Sequence, residues 1–457
     1  MNWILRLFIS ASLLATSFGA QADIFDQCKL VLTRAKTHSE YMDLKSENPN
    51  EIKYADIDDY TRDVLAFYKK NYSGRNILIF TDASWDQKSG VITVMKILQQ
   101  KVKEMSGMNV VFITPEQFNL HFNTHVQDVR VAYAPKKEVL GFMQQYNPAA
   151  IHIMVEGSVG FQVKSLLDQA QVPYTSAYHT DFPKYFGAKM PLDVLNRAVT
   201  RLGYNVLRGF HANSSAIMAP TQTMGNILKE NGFPEDKIVS WSHGVEVDRF
   251  KPELRDENLF QRILEEGLAS GKLTTSAREI KHPISLFVGR IEKEKNLDDF
   301  LNMNTPGTKI FIGDGASRLA LQKKYPDAVF LGKMPYENLP AYYASADLFV
   351  FTSLTDTFGL VMLEAAASGT PVLAYNIQGP VDVVGTTAMG VLAPYIPNNP
   401  AANVRALEER FAQALALDRN AVREEAEKHP WESSIVEFLY FLQPLTQAHL
   451  QSLGVQP

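Results

Sequence analysis

Two series of short, continuously apolar segments, separated by helical stretches, restrict the fold of this chain more than any other feature. The first comprises Ile77-Leu78-Ile79-Phe80, Val110-Val111-Phe112-Ile113, Ile151-His152-Ile153-Met154-Val155 and Ala216-Ile217-Met218. The second comprises Leu286-Phe287-Val288, Ile310-Phe311-Ile312, Val329-Phe330-Leu331, Leu348-Phe349-Val350-Phe351 and Pro371-Val372-Leu373-Ala374. A strand that is apolar on both faces must be buried on both, the condition of a parallel sheet covered by helices. Helical stretches such as Val91–Lys103 and Ser165–Gln171 supply that cover. The expected architecture is α/β: two doubly wound, Rossmann-like domains facing across a cleft. Ligands then bind beyond the carboxyl ends of the strands, between the two sheets.

The boundaries follow from the same pattern. Residues 1–22 read as a signal-like or anchor segment, 23–74 as a helical arm and 75–250 as the first Rossmann-like domain. A charged stretch without strand character, 251–281, reads as a linker. The second domain spans 282–429, and 430–457 holds a crossing helix and tail, with Trp431–Leu445 amphipathic. At the N-terminus, Arg6, the apolar Leu7–Phe18 and Ala20-Gln21-Ala22 before Asp23 have the layout of an export signal. The apolar part is shorter than the roughly 20 residues a membrane span needs. With 45 Lys and Arg against 50 Asp and Glu, the net charge of −5 argues against a general electrostatic nucleic-acid binder. A single cysteine, Cys28, excludes an intramolecular disulfide and a cysteine-clustered zinc site.

The residues able to carry chemistry sit at expected strand ends. Strand Leu348–Phe351 runs through Thr355-Asp356-Thr357-Phe358-Gly359 into a helix bearing Leu360 and Glu364. Such a helix start offers free N–H groups to an anion, and Gly359 permits close approach. Leu360 and Glu364 share one helix face, so Glu364 looks toward the space occupied by the Asp356 loop. Two carboxylates there suit a polyol, whose hydroxyls donate hydrogen bonds. After Phe287-Val288-Gly289 come Arg290 and Lys295, two cations suited to a diphosphate. In the first domain, Gly90 opens the helix after the Asp82–Lys88 loop. His179, in Tyr178-His179-Thr180, stands where a histidine can reach a sugar hydroxyl or a phosphate.

In combination and order, Val288-Gly289-Arg290 with Lys295-Asn296, Gly313-Asp314-Gly315, Tyr343-Ala344-Ser345-Ala346-Asp347 and Thr355–Gly359 ending in Glu364 resemble one family. It is the retaining GT-B glycosyltransferases of the sucrose synthase and mannosyltransferase type. The nearest in look are the bacterial GDP-mannose-dependent and the sulfoquinovosyl or glycolipid transferases. Glu156-Gly157, Tyr178-His179-Thr180 and His243-Gly244-Val245 agree, and the resemblance covers about residues 76–440. It implies an acceptor-side first domain and a nucleotide-sugar-binding second domain. It implies transfer of a hexosyl group, with retention and without a metal, from a GDP- or UDP-sugar to a glycan or lipid acceptor. It implies no cofactor beyond that donor, and no nucleic-acid partner is expected. Arg290 and Lys295 would hold the diphosphate, Glu364 the ribose and Asp356 the transferred sugar. His179 would approach the reacting carbon, and the Gly90 loop the phosphate. Asp356 stands where the family usually has Glu, Gln378-Gly379-Pro380 where two glycines are common, and the Asp82–Lys88 loop lacks the usual prolines.

Three other readings have weaker support. Asp56-Ile57-Asp58 matches a metal-binding D-x-D but follows no apolar strand. Glu156-Gly157-Ser158-Val159-Gly160 nearly matches a nucleophile elbow but lacks its first glycine. An exported, catalytically degenerate sugar-binding protein of the same fold accommodates the signal-like N-terminus. The alternative to export is an enzyme held on the cytoplasmic membrane face, where nucleotide sugars are made, by an uncleaved segment. N-terminal cleavage between Ala22 and Asp23 separates the two.

Overall fold

The computed structural model describes residues 54–87, 90–123, 130–187, 193–385 and 387–455. The signal-like segment and most of the N-terminal arm lie outside these. The described part of the arm is helix α1 (Tyr54–Tyr72), which contains Asp56-Ile57-Asp58. The first domain then begins with β1 (Asn76–Phe80), α2 (Gly90–Ser106) and β2 (Asn109–Ile113). An antiparallel hairpin follows, β3 (Leu120–Asn123) with β4 (Arg130–Tyr133). Next come β5 (Pro148–Ile153), α3 (Ser158–Gln169), β6 (Thr175–Ala177), α4 (Phe182–Gly187), α5 (Asp193–His211), β7 (Ile217–Ala219) and β8 (Ile238–Ser240). The main sheet is parallel, in the order β2-β1-β5-β6-β7-β8.

Alternation along the apolar runs builds two cores, one on each face. Ile77 and Ile79 enter a cluster with Met95, Leu98 and Phe438, while Leu78 and Phe80 enter one with Val159, Val163 and Leu167. The second sheet works identically. Leu286 and Val288 face one cluster, and Phe287 faces another with Phe300 and Phe311.

The stretch 251–281, read as a linker, carries α6 (Leu259–Ala269), whose Phe260 and Leu264 are buried in the second domain's core. Its strands are β9 (Ile284–Val288), β10 (Thr308–Ile312), β11 (Val329–Gly332), β12 (Leu348–Phe351), β13 (Val372–Tyr375) and β14 (Gly390–Ala393), with α7 (Leu360–Ala367) after β12. All pair in parallel, in the order β11-β10-β9-β12-β13-β14. The direction of strand succession therefore reverses between β9 and β12. The crevice at such a switch point is where doubly wound sheets hold ligands, and it is framed by the loops carrying Arg290, Lys295 and Asp356.

The chain crosses between domains twice at one place, where Val245 N–H donates to the His429 carbonyl at 2.9 Å. The final crossing helix, α8 (Trp431–Phe441), belongs to the first domain's core through Trp431, Ile435, Phe438 and Leu439. It is buried on most sides rather than amphipathic. It also stops four residues before the expected end, because Pro444 disfavours helical backbone just ahead of it. Among the described residues no helix is long and apolar enough to cross a membrane.

Candidate active site

On the second-domain side, the loops after β9 and β12 are knitted together. Thr352 Oγ1 donates to the Lys295 carbonyl at 2.9 Å, and Lys295 Nζ donates to Asp356 Oδ2 at 2.6 Å. Burial opposes ionisation of Asp356, yet the Lys295 ammonium holds its carboxyl below the usual aspartate range. Arg290 is exposed and reaches back to Glu294 at 3.1 Å. Both expected cations thus stand at the switch point, in ion pairs that an incoming anion would have to displace.

Gly359 takes a φ of +93° at the start of α7. A Cβ there would lie 2.6 Å from Met362 Cε and 3.3 Å from the Phe351 ring, so glycine is needed for both backbone and space. No side chain caps the helix; Met362 N–H turns back to the Gly359 carbonyl at 2.9 Å, and the Leu360 and Val361 N–H groups before it are the ones an anion would meet. One turn in, the Glu364 carboxylate is buried and accepts from Tyr343 Oη at 2.8 Å and Tyr336 Oη at 3.2 Å. Burial pushes its pKa up to about 7. Neither tyrosine was assigned a role from sequence. They lie 21 and 28 positions from Glu364, and no local spacing rule connects residues so far apart.

Three contacts bring the first domain up to this crevice. The Thr357 hydroxyl donates to the His179 carbonyl at 2.6 Å, Lys184 Nζ to Gln378 Oε1 at 3.0 Å, and Thr223 N–H to Asp382 Oδ1 at 2.9 Å. The structure therefore places His179 beside the Asp356–Gly359 loop. Its ring stacks on His243 at 5.6 Å and meets Trp241 edge-on at 5.5 Å. His179 Nε2 has no partner, and burial pushes the imidazole pKa down to about 4. His243 is likewise held neutral by burial, its Nδ1 also unpartnered. Two neutral imidazoles with spare nitrogens suit sugar hydroxyls better than a fixed anion. Gly90, the first residue of α2, faces Leu360 across the cleft: a Cβ on it would sit 3.8 Å from Leu360 Cδ1.

Asp82, in the loop before Gly90, turns inward. Its Oδ1 accepts from Ser158 Oγ at 2.8 Å and Val159 N–H at 2.9 Å, and its Oδ2 from Gly160 N–H at 3.0 Å. It caps α3, and burial pushes its pKa up to about 6. A Cβ on Gly157 would lie 2.2 Å from Asp82 Cγ, so the Glu156-Gly157 pair is explained by this close approach. The same bond argues against the nucleophile-elbow reading, because Ser158 donates to a carboxylate and no histidine among the described residues serves it. Behind it, Glu156 Oε1 meets His211 Nε2 at 3.2 Å, and His211 Nδ1 meets Ser176 Oγ at 2.7 Å, all buried.

Comparison with known proteins agrees with this geometry. Residues 275–429 match the family model "Glycosyl transferases group 1", and residues 99–249 match "Glycosyltransferase Family 4". A GDP-mannose-dependent alpha-mannosyltransferase of Mycobacterium tuberculosis is 30% identical over 63% of this chain and 72% of its own length. The sulfoquinovosyl transferase of Arabidopsis thaliana is 26% identical, over 68% of this chain and 59% of its own. An alpha-monoglucosyldiacylglycerol synthase of Streptococcus pneumoniae is 25% identical, over 65% and 70%. Among solved structures, the sucrose-phosphate synthase of Thermosynechococcus elongatus superposes with a TM-score of 0.60 at 18% identity, covering 80% of this chain and 97% of that one, and so shares its fold. Two facing parallel sheets, a switch-point crevice with Lys295, Asp356 and Glu364, and these matches to both halves have one conclusion: the chain belongs to the group 1 glycosyltransferases of the GT-B fold.

Proposed function

We propose that this glycosyltransferase moves a hexosyl group, with retention of configuration and without a metal ion, from a GDP- or UDP-sugar to a lipid or glycan acceptor. The observation that carries the reading is the assembly at the β9/β12 switch point: two cations, an uncapped helix start and a buried carboxylate, closed over by His179. The donor diphosphate lies against Arg290, Lys295 and the N–H groups after Gly359, which together neutralise the leaving group. Lys295 exchanges Asp356 for phosphate, freeing the Asp356 carboxylate to accept from hydroxyls of the transferred sugar. Glu364, held by its two tyrosines, accepts from the ribose, with Leu360 on the same helix face. His179, neutral and with Nε2 free, meets the donor sugar beside its reacting carbon, and the Gly90 helix start closes over the phosphates. The positive charge developing on the sugar is then balanced by the departing diphosphate on the same face, where an acceptor hydroxyl enters.

A lipid acceptor is favoured by one relative, which carries the name alpha-monoglucosyldiacylglycerol synthase. The enzyme accordingly works on the cytoplasmic membrane face, where its donor is made, with the N-terminal segment uncleaved. The test is a panel of nucleotide sugars in EDTA, with and without diacylglycerol, read as nucleotide release. Release stimulated by the lipid supports the reading. Release only on adding a divalent ion refutes metal independence, and no release with any sugar favours the degenerate binding protein. N-terminal sequencing that finds a mature chain starting at Asp23 refutes the anchor.

A further inference from the structure

Helix α5 turns one face inward and leaves the other without a partner among the described residues. Inward, Tyr204, Leu207, Phe210 and His211 are buried, and the Tyr204 hydroxyl donates to Asp181 at 2.9 Å, two residues beyond His179. Outward stand Val194, Leu195 and Leu202, which are 68%, 44% and 47% exposed, with Ala198 between them. At 3.6 residues per turn these four form one apolar strip, and Arg197, Arg201 and Arg208 run along its edge. Positions 194–209 include no Asp or Glu. Arg208 donates to the Asn231 carbonyl at 3.3 Å, whereas Arg197 and Arg201 form no ion pair among the described residues. Val194, Arg197, Ala198, Arg201 and Leu202 line a shallow surface groove. In a chain of net charge −5, a helix face with three arginines, and no acid after the opening Asp193, is a local feature rather than a reflection of composition.

We propose that this face of α5 docks on an anionic lipid bilayer. The apolar strip suits the boundary between headgroups and acyl chains, and the arginines at its edge suit lipid phosphates. This docking rests on the reading of a lipid acceptor given above, and it supplies the geometry for it. Helix α4 packs between α5 and the cleft: a Cβ on Gly203 would lie 3.0 Å from Pro183 Cβ, while Lys184, one residue on, reaches Gln378 of the second domain. The bilayer then lies against the first domain, with α5 and α4 between it and the cleft.

Co-sedimentation of the full chain with vesicles tests it, using phosphatidylcholine alone or phosphatidylcholine containing phosphatidylglycerol. The variants are Arg197→Gln/Arg201→Gln and Val194→Ser/Leu202→Ser. All retain the N-terminal segment, so differences report on α5. The wild type is expected to favour the phosphatidylglycerol vesicles. The arginine pair should lower that partition about 30-fold, at about fivefold per basic residue, and the apolar pair should lower partition on both vesicles. Circular dichroism and nucleotide release without vesicles should be unchanged. Partition equal to wild type in both variants overturns the proposal, as does a wild type indifferent to phosphatidylglycerol. Self-association of the wild type that both variants abolish, with vesicle binding intact, assigns the face to a second copy and also overturns it. Nucleotide release absent with every sugar, while partition behaves as expected, refutes the transferase reading alone.

Discussion

Replacing Glu364 by Gln isolates the cost of a buried charge that the proposed ribose contact requires. Glu364 is 7% exposed, and burial raises its pKa from 4.5 to about 7 against two tyrosine donors that work the other way. Because the folded pKa lies above the unfolded one, the native state holds this proton more tightly. The stability it contributes is complete below about pH 4.5 and is lost as pH rises through 7. A shift of this size corresponds to about 3 kcal/mol. Gln stays neutral at every pH but offers one acceptor oxygen where two tyrosines donate, a loss of about 1 kcal/mol. The variant should therefore be about 1 kcal/mol less stable than wild type at pH 4 and about 2 kcal/mol more stable at pH 8. Urea unfolding of the second domain at both pH values measures this. A difference of the same sign and size at both refutes the electrostatic account. At pH 8 the same variant should bind nucleoside diphosphate about 10- to 100-fold more weakly, because a charge-assisted bond to the ribose contributes about 1.5–3 kcal/mol. In turnover this appears mainly as a raised donor KM, since a ribose contact is the same in ground and transition states. Unchanged nucleotide affinity places the ribose elsewhere.

Arg290→Ala and Lys295→Ala should each weaken donor binding and turnover by about 10- to 100-fold, at about 1.5–3 kcal/mol per charge-assisted bond. Lys295→Ala should in addition raise the Asp356 pKa, read by the pH dependence of donor binding, because the neighbouring ammonium is what holds it down. Full turnover in both variants with the fold intact removes them from the diphosphate site. His179→Ala should lower kcat on the order of 100-fold while leaving donor affinity nearly unchanged. The wild-type contribution should be flat from pH 6 to 8, because the imidazole charges only as pH falls through about 4. A variant with normal kcat and a raised KM reassigns His179 to ground-state binding.

The two-sheet architecture was legible because β1, β2, β5 and β9 to β13 are buried on both faces and so written as unbroken apolar runs. Strand β6 was not, since its Thr175 and Ser176 are buried but polar. They satisfy His152 at 2.8 Å and His211 at 2.7 Å, leaving no apolar run to see. The β3–β4 hairpin was equally silent, with Leu120, Phe122 and Tyr133 exposed and no periodic core face. Helix α6 hid inside a charged stretch because its core-facing Phe260 and Leu264, with Leu259, Ile263 and Leu268 packed beside them, are interleaved with Gln261, Arg262, Glu265 and Glu266. Within the candidate site, Arg290, Lys295, Asp356, Gly359 and Glu364 could be singled out as candidates because they flank strand ends and a helix start, which are local features. The tyrosines on Glu364, the His179–His243 stack and the Asp82 cap join residues 21 to 78 positions apart. Only the folded sheets bring such residues together.

The measurement that bears most directly on the central claim is the anomeric configuration of the product. GDP-mannose and UDP-glucose, each offered with diacylglycerol in EDTA, give products whose anomeric coupling is read by NMR from the first turnover. The account predicts nucleotide release matched by an α-linked glycolipid, the configuration of the donor. A β-linked product, or release that never yields a glycolipid or glycan, contradicts it.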